Sequence, residues 1–137
     1  MRLFVADDGV PDGVSELTDG DQQIVRVAAP DLQQARRVRA RIRAGAHDVA
    51  VILDVTVAVA GDFRSAQHVL DPLEDVDAAT VHYAGTVDGL AGLIADIASA
   101  EVADGVTLIP ASPRQDVGAL GRDVLVRLDS REQQRAS

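Results

Sequence analysis

His82 is the side chain in this sequence best suited to move a proton. An imidazole changes charge near neutral pH and can act as a general acid or base. It sits in the short extended stretch Ala79 to Tyr83 (ATVHY), just before Tyr83-Ala84-Gly85-Thr86-Val87-Asp88. A Gly-Thr pair at the start of a helix can offer backbone N–H groups and a hydroxyl to an anion such as a phosphate. Gly85 and Thr86 are therefore the candidate cofactor-binding residues, with His82 the candidate catalytic one. The same threonine serves equally as a plain helix cap, and Asp88 in the first turn already complements the helix dipole, which weighs toward the cap. His47 and His68 stand apart, and no histidine has a ligand at the i, i+4 spacing of a helical metal site; His68 precedes Asp71 by three. Asp7, Asp8 and Asp12 in DDGVPDG could offer oxygens to a hard cation. No glutamate closes an EF-hand loop there, and Asp, Gly and Pro together describe a solvated turn. No metal site is expected. Gly-x-Ser-x-Gly, P-loop and Gly-x-Gly-x-x-Gly patterns are absent.

The elements that must position these groups can be read from periodicity. Leu3 to Ala6 reads as a buried strand and Val14 to Leu17 as a turn of helix. Gln23 to Ala29 (QIVRVAA) is a second strand. Pro30-Asp31 opens a helix with Leu32, Ala35, Val38 and Ile42 near one face, five arginines between Arg36 and Arg43, and Gly45 at its end. Those arginines are simplest as a solvated face; a docking surface for an acidic partner is the sharper alternative. Val49 to Val59 (VAVILDVTVAV) is almost continuously apolar, as expected for a strand buried on both faces of a parallel sheet. Ser65 to Leu70 is expected to be helical, with Pro72 bending or ending it. Leu90, Leu93, Ile94 and Ile97 place a helix from Val87 to about Ala100. Gly105 to Ile109 is the last strand, and Val117, Leu120, Val124 and Leu128 form one stripe of a final helix from about Arg114 to Leu128. Strands alternating with helices imply a parallel α/β sheet.

Composition bounds the function. The 137 residues suit one domain, and 47% hydrophobic residues with only 2% aromatics require a core of Val, Leu, Ile and Ala. A net charge of −9 opposes binding to nucleic acid phosphates. All 13 basic residues are arginines. The chain has no cysteine, which removes disulfides, thiol nucleophiles and cysteine-ligated zinc. No apolar run reaches the length of a membrane span, and the N-terminus turns acidic too early for a signal peptide, so a soluble cytoplasmic protein is expected.

The last third carries a resemblance. Gly85-Thr86-Val87-Asp88, Asp104-Gly105 followed by an apolar strand, and Val126-Arg127-Leu128-Asp129-Ser130-Arg131 resemble, in that order, the C-terminal end of the luciferase-like flavin monooxygenases. In that family Val87 and Val126 would be prolines. Similarity weakens through Ile24 to Ala66 and is least over Leu3 to Gly20. These motifs are structural more than catalytic. The resemblance implies a (β/α)8 barrel, which needs about 250 residues, so residues 1–131 are expected to form a half-barrel resembling strands five to eight, with 132–137 a polar tail. The alternative is an open parallel sheet. It further implies a truncated flavin- or deazaflavin-linked oxidoreductase subunit or remnant, with FMN or F420 as cofactor, completed by a second copy or by a separate N-terminal-half polypeptide, and with little activity alone. A non-catalytic binding or assembly module that has lost the flavin site, and so carries no cofactor, is the other reading. The DDGVPDG loop favours it, because three carboxylates stand where the family commonly offers a Gly-x-Ser turn to the flavin phosphate.

Overall fold

The computed structural model describes residues 2–6, 13–18, 20, 22–45, 48–59, 81–110 and 116–136, with side chains as far as residue 130. The acidic loop with Asp7, Asp8 and Asp12, together with His47, His68, Asp71 and the Ser65–Leu70 helix, lies outside these residues.

Eleven residues, Val49–Val59, form the central strand β4. Its odd side chains Val51, Leu53, Val55 and Val57 and its even ones Ala50, Ile52 and Ala58 are all buried, which accounts for its unbroken apolar run. Around it stand β1 (Arg2–Ala6), β2 (Val14–Glu16), β3 (Gln23–Val27), β5 (Val81–Gly85) and β6 (Gly105–Pro110). Together they make an open, curled α/β sheet in the shape of a half-barrel. Its order is β2-β1-β6-β4-β3, with β5 also paired to β4. Arg26 and Gly105 both align with Ile52, and Val81 and Leu108 both align with Val55. β3 and β5 therefore lie end to end along one edge of β4, while β6 takes the other.

Two strand expectations are corrected. Val14–Glu16 is not a helical turn but a short strand, antiparallel to β1. The strands also do not follow chain order as successive barrel strands do: β1 pairs in parallel with β6, not with β3. Side-chain character explains the choice. Residues 106–108 of β6 are buried on both faces, as a strand with two neighbours should be. β3 exposes Gln23 and Arg26 and suits an edge.

Three helices cover one face of the sheet: α1 (Leu32–Gly45), α2 (Val87–Ser99) and α3 (Val117–Ala136). Ala35, Leu90, Ala91, Ile94, Ile97, Leu120 and Val124 pack with Leu3, Val5, Leu53, Val55, Val106 and Leu108 into the main core. The apolar stripes read from periodicity are thus largely the buried ones in α2 and α3, whereas α1 buries only Ala35 and leaves Leu32, Val38 and Ile42 half-buried. Asp31 caps α1 through the Gln34 amide (2.8 Å), and Asp116 caps α3 through the Ala119 amide (3.0 Å). α3 starts three residues later than its sequence pattern suggests and continues to Ala136, so the expected polar tail is helical nearly to its end. α2 closes in a Schellman turn, Val102 N to Ile97 O (3.0 Å) and Glu101 N to Ala98 O (3.2 Å). Its pivot is Glu101 at φ 58°, a conformation costing a side chain about 1–2 kcal/mol.

The N-terminal end of the sheet is tied by two charged residues. Asp104 accepts from the Val51 amide (2.8 Å) and from Arg39 of α1 (2.9 Å), with Arg43 at 3.8 Å. Burial alone would raise its carboxyl pKa, but the Val51 amide and the Arg39 and Arg43 guanidiniums outweigh burial and hold it below the usual range. Arg2 grips Glu16 through two bonds (2.9 and 2.7 Å) and also donates to the carbonyls of Gly20 and Gln22. The Arg2 bonds lower the Glu16 pKa against its own desolvation.

Candidate functional site

The helices leave the other face of the sheet to side chains of opposite parity. At the N-terminal end that face is apolar, with Phe4, Ala50 and Ile52 packed against Val14 and Ile24. Toward the C-terminal ends of the strands it becomes polar. Thr107 aligns with Asp54 and Phe4, and His82 aligns with Thr56. Asp54 is gripped by Arg26 from β3 in a bidentate pair, both bonds 3.1 Å. Thr107 is fully buried, and its hydroxyl has no hydrogen-bond partner among the described residues. A buried hydroxyl in that condition costs about 1–3 kcal/mol.

His82 is half-buried on β5 beside Thr56. Asp54 lies one row away and one strand across, with the two backbones roughly 8 Å apart on strand spacing and rise. The structure thus brings His82 onto the same face as Asp54, Thr56, Arg26 and Thr107, without an orienting carboxylate in contact among the described residues. Sequence reasoning passed over Asp54, Thr56 and Arg26 as chemical groups. The signal was present: Asp54 and Thr56 are the only polar residues in the apolar run of β4, and a spacing of two puts them on one face.

Gly85 and Thr86 are elsewhere and otherwise employed. Gly85 and Tyr83 face the helices, in register with Val59 and Val57. Thr86 caps α2, its Oγ1 accepting from the Gly89 amide at 3.2 Å. The Tyr83 hydroxyl donates to the Thr86 carbonyl at 2.8 Å and fills the space above both glycines: a Cβ on Gly85 would lie 2.5 Å from it, and one on Gly89 closer still. Burial raises the Tyr83 pKa, and the bonds at Thr86 only partly offset this. Asp88 adds a carboxylate in the first turn, paired with Arg127 at 3.5 Å. With the hydroxyl committed, the cleft filled and a negative charge beside it, Gly85 and Thr86 do not fit a flavin phosphate.

This latch gives a sign-reversal prediction. Gly to Ala inside a helix normally stabilises by about 1 kcal/mol. Gly89→Ala should instead destabilise, because its methyl meets the Tyr83 hydroxyl. In a Tyr83→Phe background the same change should turn stabilising. Thermal melts of the four proteins in the cycle check it, and a stabilising Gly89→Ala in the native background would refute the latch.

Among the described residues no group of three His, Asp or Glu could hold a metal ion, and no helix is long and apolar enough to cross a membrane. No protein-family model matches the sequence, and comparison with characterised proteins finds no match.

Proposed function

We propose that the chain is a remnant of a luciferase-like, flavin- or deazaflavin-linked monooxygenase: an α/β protein related to the C-terminal part of that (β/α)8 fold, which now binds or assembles rather than oxidises. The observation that carries this reading is the Tyr83 latch. The helix start that the resemblance offered to a cofactor is occupied by the chain's own side chains. β6 adds to it. Both its edges are taken, by β1 and β4, so a separate N-terminal half would have to displace β1 to continue the barrel from there.

A second reading is a flavin-linked oxidoreductase subunit, working with FMN or F420 once a partner completes it. The clustering of Arg26, Asp54, Thr56, His82 and Thr107 on the helix-free face favours it. Such a face is the interior of a barrel, and His82 would be its proton-transfer group. Fluorescence titration of the purified chain with FMN and with oxidised F420 separates the two. The first reading expects no saturable quenching at roughly 100 μM cofactor, a concentration that would fill most sites of biological affinity. Saturable quenching abolished by His82→Ala or Asp54→Ala would overturn it in favour of the second.

A further inference from the structure

We propose that the chain forms a closed homodimer in which the outer face of α1 in one copy lies on the C-terminal end of α2 in the other. This surface does not depend on the cofactor reading: a dimer without flavin quenching leaves it intact.

The positive half is α1. Its sequence, LQQARRVRARIRAG, holds five arginines and no acidic residue. Without those five, eight of the 13 basic residues remain against 22 acidic ones, so the rest of the chain carries −14. Of the five, only Arg39 and Arg43 engage Asp104. Arg36, Arg37 and Arg41 are exposed and have no ion-pair partner among the described residues, and the exposed Ala40 and Ala44 beside them keep the surface low. An acid-free basic helix on a protein of this charge complements the rest of its own surface, and therefore a second copy.

The negative half is the end of α2. Its last turn contains no basic residue, although helix C-termini favour cations. Asp96 and Glu101 are instead exposed there, adding charge to the negative pole of the dipole. Glu101 also sits at the positive-φ pivot where glycine would be easiest. Local stability therefore argues against a glutamate at this position, and a cation brought by a partner would compensate it.

The acidic turn lies beside α1, about one helix width from its outer face. Arg39 Nη1 donates to the Glu101 carbonyl at 3.4 Å, joining α1 to the α2 turn. A two-fold axis along this seam sets each basic face against the other copy's acidic end, an arrangement that closes at two copies.

Light scattering on a sizing column tests it across salt. At about 20 mM salt the protein should run near twice 14.4 kDa, and at about 500 mM it should fall to monomer, because screening shortens the reach of exposed charges. The triple variant R36E/R37E/R41E should be monomeric at low salt with an unchanged circular dichroism spectrum. Mixed with D96R/E101R it should recover a heterodimer. Glu101→Gly is the sharpest arm, since it should raise the melting temperature of the monomer at high salt while weakening the dimer about tenfold or more. A wild-type monomer at low salt, a dimer indifferent to salt or to the triple variant, or open-ended assemblies would each overturn the proposal.

Discussion

Asp104→Ala is expected to lower the stability of the protein by about 2–4 kcal/mol, a large part of the 5–15 kcal/mol typical of a domain. The Val51 amide is the main reason. Val51 is fully buried, and an unpaired buried N–H costs about 1–3 kcal/mol. The partly exposed Arg39 pair contributes less. Arg39→Ala should therefore cost under about 1 kcal/mol, and Asp104→Asn, whose amide oxygen can still accept from Val51, should fall between the two. Urea midpoints of the three variants decide it, and equal losses in Asp104→Ala and Arg39→Ala would place the energy in the ion pair instead. The pH dependence follows from the lowered carboxyl pKa. A depressed pKa gives stability that is complete above the ordinary value of 3.8 and is lost as pH falls through the folded value. The acid limb of the stability profile below about pH 4 should accordingly flatten in Asp104→Ala.

Gly105→Ala should be comparably damaging, at about 2–3 kcal/mol, the upper part of the range for overpacking. An added Cβ would lie 2.5 Å from the Arg2 carbonyl and 2.8 Å from Ile52 Cδ1. Ile52 can shift, but the carbonyl belongs to β1, which pairs with β6 at this residue. Relief therefore means spreading the β1–β6 ladder. Hydrogen exchange should show β1 amides losing protection while those of β3 keep it. Native-like stability, or relief of the damage by Ile52→Val, would show that the backbone approach is not the constraint.

These two residues illustrate how far a motif can be read. Asp104-Gly105 was visible in the sequence as the mark before an apolar strand, yet its purpose was not. Asp104 ties to residues 53 and 65 positions away in the chain, and Gly105 is required by a strand from the other end of the chain. The Gly85-Thr86 start was legible as a cap or an anion site, and only the position of the Tyr83 ring decided between them. His82 was singled out as the candidate proton-transfer group from its residue type, and the structure puts it on β5 beside Thr56. Its companions Asp54, Thr56 and Arg26 could not be assigned to it until the register of three strands was known.

Among the described residues, the sequence by itself determined the three long helices and most strands. Leu90, Ile94 and Ile97, or the unbroken run of β4, have one local solution that buries their apolar atoms, and that preference is written in spacing alone. It also determined the charge imbalance between α1 and the rest of the chain. Tertiary structure decided which strand edges meet: β1 beside β6, β2 folded back on β1, and β3 and β5 sharing one side of β4. An apolar strand buries the same side chains whichever neighbour it takes, so periodicity is silent about order. Order is set by how the edges and faces of all the strands fit together at once, and by the helices that must cover one side of the result.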